Sequence, residues 1–180
     1  LKDRLRAFFA HAAQRGLHAD FHSDETGDPD SATLRAIAET VLETGFDAPV
    51  TVGHCCSLAV QPDAEWLHTL DLLARAGINV VSLPMCNLYL QDRHAGRTPR
   101  WRGVTLVHEM AARGINVSFA SDNTRDPFYA YGDLDMLEVM REATRIAHLD
   151  HSGNDWPGAF LTNPARACGG VEVKSATRGA

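Results

Sequence analysis

Four times along this chain, a stretch with helical apolar spacing stops at a glycine and runs within a few residues into a short apolar strand. Residues 1–14 place Leu5, Phe8, Phe9 and Ala12 at helical intervals and stop at Gly16, before a strand over 17–22. Residues 30–44, with Ser31 as the expected N-cap, stop at Gly45 before a strand over 49–54. Residues 63–76 stop at Gly77 before 78–83, and 104–113 stop at Gly114 before 115–120. A glycine just past a helix takes the left-handed turn that ends it, so the punctuation has a physical cause. The αβ joint is also repeated: Arg75-Ala-Gly-Ile-Asn-Val-Val-Ser82 echoes Ala112-Arg-Gly-Ile-Asn-Val-Ser-Phe119. Continuously apolar strands separated by helices belong to a parallel sheet with helical cover, which limits the chain to a barrel or an open doubly wound sheet.

The polar residues decide between the two. His22, His54, Asn87 and Asp122 sit at or just past the C-terminal end of successive strands. In a closed barrel those ends ring one mouth and converge on one ligand. An open sheet would gather them at a switch point, usually beside a glycine-rich phosphate loop, and no such loop is present. The expectation is an α/β fold of about four βα units, half of a (β/α)8 TIM-type barrel. Leu1 in place of methionine fits a piece of a longer chain.

Composition narrows the partners. The 17 Lys and Arg against 23 Asp and Glu leave a net charge of −6, which disfavours a nucleic-acid backbone. The arginines at 93, 97, 100 and 102 read as a solvated loop. No apolar run is long enough for a membrane span. Cys55, Cys56, Cys86 and Cys168 form no C-x-x-C pair, which fits reduced thiols and a cytoplasmic location. A homo-oligomer stays open.

The strand ends carry the chemistry. His22 opens His-Ser-Asp-Glu, so an imidazole that can bind a metal is followed by Asp24 and Glu25, carboxylates that can move protons. His54 follows Gly53, where a ligand can come close. Asp122, at the end of an apolar strand, is costly to bury unless a cation or donors compensate it. Two imidazoles and a carboxylate at one mouth make a site for one divalent zinc or iron ion. His11, His68, His108 and His148, expected on helices, and His18, His94 and His151, off the strand ends, read as structural or exposed.

In the order His22-Ser-Asp-Glu25, Gly53-His54-Cys-Cys-Ser57, Leu83-Pro-Met-Cys-Asn-Leu-Tyr-Leu-Gln91, Pro99-Arg-Trp-Arg-Gly103 and Ser121-Asp122-Asn-Thr-Arg-Asp-Pro-Phe128, the chain resembles bacterial cytosine deaminase and its relatives in the amidohydrolase superfamily. The resemblance runs to about residue 168. It implies the C-terminal half of a metal-dependent barrel over 1–168, with a tail over 169–180 and no following β-sandwich. It further implies that His22 and Asp122 are metal ligands, with His54 as a further candidate, and that Glu25, His54 and Asp122 are catalytic. The reaction implied is hydrolytic deamination of a small aminated N-heterocycle.

Three features of the family pattern are missing from this sequence: the His-x-His metal pair, the glutamine that reads the pyrimidine edge, and the sandwich. Asn123 and Phe128, expected to touch the substrate, replace the family's aspartate and tryptophan. An asparagine amide can donate as well as accept, so a ring presenting an acceptor at that edge is expected, and cytosine is expected to be a poor substrate beside isocytosine, a methylated cytosine or a pterin. Two other readings remain. One is hydrolysis of a cyclic amide, although the carbamylated lysine common there has no strand-end candidate in Lys2 or Lys174. The other is an inactive half-barrel that pairs with another chain through its raw sheet edges.

Overall fold

The computed structural model describes residues 1–170; the greater part of the expected tail over 169–180 lies outside the described residues. The chain alternates α1 (Lys2–Gln14), β1 (Ala19–Ser23), α2 (Thr33–Thr44), β2 (Val50–His54), α3 (Asp63–Ala76) and β3 (Asn79–Ser82). It continues with α4 (Pro84–Leu90), α5 (Val107–Ala112), β4 (Val117–Phe119), α6 (Met136–Ala147) and α7 (Thr162–Ala167). Short 3-10 turns fall at Cys56–Val60, Leu149–His151 and Pro157–Phe160.

All four strands are parallel and lie in the order β1-β2-β3-β4. That order never reverses, as a doubly wound sheet would require, so the winding is that of consecutive units of a (β/α) barrel. Helices α1, α2 and α3 pack side by side over the sheet. Between the layers lie Leu5 and Phe9 of α1, Leu34 and Ile37 of α2, Leu70 and Leu73 of α3, and Val52, Val80 and Val117 of the sheet, all buried. At the end of β4, Phe119 stacks on Phe160 at 4.9 Å between ring centroids and meets Trp156 edge-on. No helix among the described residues is long and apolar enough to cross a membrane.

The repeated joints become neighbours. Val80 pairs with Val117 across β3 and β4. The two asparagines before them bond to each other, Asn116 Nδ2 donating to Asn79 Oδ1 at 2.8 Å, while Asn79 Nδ2 donates to the Val50 carbonyl at 3.0 Å. The repeat is thus a polar stitch across three strands that fixes their register. Gly45 and Gly77 close α2 and α3 with φ of 64° and 63°, the left-handed turn the glycine reading required.

Ser31 is not the cap of α2. The helix begins at Thr33, and its first amides are held by Asp24: Thr33 N donates to Oδ1 at 3.2 Å and Leu34 N to Oδ2 at 3.0 Å. The Ser31 hydroxyl donates to the same carboxylate at 2.7 Å. The reason is that Asp24 sits in the left-handed region (φ 51°), which folds the chain back so that a strand-end side chain reaches the helix start. Two helices, α4 and α7, were not anticipated. In α4, Pro84 occupies the first turn, where a missing N–H costs nothing. Helix α6 is capped by Asp135, which accepts from Leu137 N at 2.9 Å. His148 lies just past α6 as its left-handed cap (φ 54°), not within a helix.

Candidate active site

The register of β1 and β2 brings the first two site residues together. Ser23 pairs with His54 and His22 with Gly53. His54 then turns left-handed (φ 70°), and its ring lies against that of His22 at 4.7 Å between centroids. His54 Nε2 and His22 Nδ1 are 3.0 Å apart. Glu25, two residues beyond β1, returns its carboxylate to the same place, 3.3 Å from His54 Nδ1. One ligand atom from each of His22, Glu25 and His54 lies within 4.8 Å of the others.

These three residues differ in what they have free. The His54 side chain is 2% exposed, with both ring nitrogens engaged, one by His22 and the other by Glu25 and Asn87. His22 is exposed, and its Nε2 has no hydrogen-bond partner among the described residues. Burial holds the His54 pKa below the ordinary imidazole value, against the opposing charges of Glu25 and Asp122, so this ring is neutral at neutral pH.

Asp122 stands just past β4, at the far edge of the sheet from β1, and is not one of the three clustered residues. Its Oδ2 is buried with no hydrogen-bond partner among the described residues. A buried carboxylate oxygen without a donor is costly and is the kind of atom a cation satisfies. Its negative charge is felt at His54 and, with burial as the larger cause, pushes the Cys86 thiol up to about 12. An imidazole with a free nitrogen, a neighbouring carboxylate and an orphaned carboxylate oxygen together fit a divalent cation.

Helix α4 brings in two residues the sequence reading left without a role. Asn87, 1% exposed, donates from Nδ2 to Glu25 Oε1 at 3.1 Å, and the same nitrogen is 3.0 Å from His54 Nδ1. Gln91, one turn on, donates from Nε2 to the Glu25 carbonyl at 3.3 Å. The Asn-x-x-x-Gln spacing puts both amides on one helix face and was the available signal, but no helix was expected there. Asp24 is absent from this cluster because its carboxylate is spent on α2.

Asn123 and Phe128 lie in the loop beyond Asp122. Asn123 Nδ2 donates one hydrogen to Asp126 Oδ2 at 2.5 Å, which leaves its second N–H and its Oδ1 without a partner among the described residues. The expected donor is therefore oriented by Asp126 and still available. Phe128 is 61% exposed. Asp24, His54, Cys55 and Asp122, all at strand ends, have positive φ. The other end of the sheet carries a cavity of 490 Å³ bordered by Phe46, Asn79, Asn116 and Arg166, with no histidine in its lining.

A model of the amidohydrolase family matches residues 1–173. A pterin deaminase from Rhizobium rhizogenes is 59% identical over 162 residues, covering 90% of this chain and 37% of that protein. The structure of 5-methylcytosine deaminase from Klebsiella pneumoniae liganded with 5-fluorocytosine superposes with a TM-score of 0.84 at 32% identity, covering 93% of this chain and 41% of that one. N-isopropylammelide isopropylaminohydrolase from Burkholderia multivorans superposes with a TM-score of 0.67 at 26% identity, covering 93% of this chain and 40% of that one. The chain thus spans about two-fifths of the length of these relatives.

Proposed function

The chain belongs to the amidohydrolase family, and from that premise we propose that it supplies one part, residues 1–168, of the barrel of a metal-dependent deaminase acting on a small aminated N-heterocycle. The observation that carries the proposal is the convergence of His22, His54 and Glu25 on one point at the C-terminal ends of adjacent parallel strands. A pterin ranks first among substrates because a pterin deaminase is 59% identical, and a methylated cytosine second because of the 32% identical structure. The net reaction replaces the exocyclic amine on the amidine carbon by oxygen from water and releases ammonia.

His22, through its free Nε2, and Asp122, through its orphaned oxygen, would hold a zinc or iron ion. The remaining ligands would come from outside this chain, which contains no His-x-His pair. When bound there, the ion supplies Lewis acidity that lowers the pKa of water towards neutrality. Asp122 would accept the proton that water gives up, and the neutral His54 would help by orienting His22. Glu25 carries a proton to a ring nitrogen, which makes the amidine carbon electrophilic, and then to the departing amine. The buried, fully engaged His54 ring is suited to relaying charge between Glu25 and His22.

The test is ammonia release from pterin, 5-methylcytosine, isocytosine and cytosine by the full-length protein, with zinc and iron content measured alongside. Glu25→Gln should keep the metal and lower kcat by about 10²-fold or more, since proton-transfer groups are worth ~10²–10⁴. A protein that carries about one metal per chain and releases ammonia from none of these rings would overturn the deaminase reading.

A further inference from the structure

We propose that Asn87 and Gln91 are positioning residues that clamp Glu25, setting its carboxylate against His54 for the proton transfers assigned to it. The inference rests on that assignment of Glu25. Glu25 lies on a loop, two residues past the end of β1, and its side chain is 32% exposed. Nothing in a strand or helix of its own fixes it. Asn87 of α4 and Gln91, the residue just past its end, do so from outside: Gln91 holds its backbone carbonyl at 3.3 Å, and Asn87 holds its Oε1 at 3.1 Å.

Asn87 does more than hold. Its Nδ2 donates to Glu25 Oε1 at 3.1 Å and lies 3.0 Å from His54 Nδ1. One nitrogen therefore lies against both carboxylate and imidazole, which stand 3.3 Å apart. Because Asn87 is 1% exposed on a helix started by a proline, its amide arrives preorganised. The clamp is itself braced. An ideal Cβ on Gly103 would lie 2.2 Å from Gln91 Cβ and 2.9 Å from the Asn87 carbonyl oxygen, so only glycine lets the 91–103 loop close against these two residues.

A clamp of this kind acts on turnover, not on ring binding or metal content. In the full-length protein, Asn87→Ala should lower kcat about tenfold or more while KM and metal content stay within about twofold, because a misaligned acid–base group loses rate and not affinity. In a Glu25→Gln background, adding Asn87→Ala should change kcat by less than about twofold, since the two then share one lost function. An equal fall in both backgrounds would mean that Asn87 matters only to the general structure, and the inference would fall. Gln91→Met, which keeps the chain length and removes the amide, should give a smaller kcat loss of the same kind and serves if Asn87→Ala does not fold. If the wild type deaminates none of the rings, the deaminase reading fails separately. The clamp is then decided by nitrogen NMR of His54, whose Nδ1 resonance should move in Asn87→Ala; an unmoved resonance would overturn it.

Discussion

The contact that seats Gly103 offers a matched experiment, because a second glycine has the same φ and an empty surround. Gly103 and Gly114 both have φ of +71°. An alanine at either position carries left-handed strain of about 1 kcal/mol. It also gains the same small entropic benefit from a stiffer unfolded chain. At Gly114 nothing lies within 4 Å of the new Cβ. At Gly103 it would meet Gln91 Cβ at 2.2 Å, Gln91 Cγ at 2.5 Å and the Asn87 carbonyl oxygen at 2.9 Å. The first and last of these cannot be relieved by rotating a side chain, because Gln91 Cβ and the Asn87 oxygen move only with their backbone. Forced overpacking of this sort costs about 1–3 kcal/mol. The difference between Gly103→Ala and Gly114→Ala should therefore be about 2 kcal/mol, a gap of about 4–8 °C in Tm for a chain of this size. Urea unfolding and thermal melts of the two variants against the wild type measure it. Equal destabilisation would show that the 91–103 loop yields freely, and the tight seating of α4 against it would have to be given up.

Three further outcomes are expected. Asp24→Ala should cost about 1–2 kcal/mol, since it removes the cap of α2 and leaves two amides unpaired, and the loss should appear in the melting curve, not in metal content. Burial raises the thiols of Cys55, Cys56 and Cys86, the last to about 12 from an ordinary 9.0, so the folded chain keeps protons that the unfolded chain gives up between those values. Folding stability should accordingly fall as pH rises past about 9, and a thiol reagent at pH 8 should label exposed Cys168 before the other three; rapid labelling of all four would contradict this. Since Asp126 anchors Asn123 through one N–H, the second N–H stays available to a ring that presents an acceptor at that edge. Asn123→Asp, which loses both N–H groups, should then fall in kcat/KM about as far as Asn123→Leu, and an aspartate variant close to the wild type would exclude the amide N–H as the reading atom.

What was legible in the chain was whatever short-range physics writes there. The glycine stops at 16, 45, 77 and 114 mark left-handed turns, and all four have positive φ. The Gly-Ile-Asn-Val repeat marks one joint used twice, and the two copies lie paired. His22, His54 and Asp122 could be grouped because each ends an apolar strand, and Glu25 joined them through the His22 loop; the structure clusters His22, Glu25 and His54 and leaves Asp122 outside that cluster. Helix α4 was hidden by Pro84, which reads as a break although it sits in the helix's first turn, and with α4 went the roles of Asn87 and Gln91. Asp24 could not be told from Glu25 by type. Only the left-handed turn at Asp24 sends one carboxylate back to α2 and the other towards His54. The lock on Asn123 comes from a neighbour three residues on, a contact that loop geometry decides and periodicity does not record.

The left-handed residues at the strand ends also bear on what selection can do with this protein. Aspartate visits that region at modest cost, but His54 (φ 70°) and Cys55 (φ 53°) are held there against their intrinsic preference, at ~1 kcal/mol or more apiece. Glycine at these positions would relieve the strain and erase the imidazole. It would also empty two buried positions and strip His22 and Asn87 of a partner, which costs more than the strain returns. Gains in heat resistance must therefore come from the helical layer and leave the mouth of the sheet as it is.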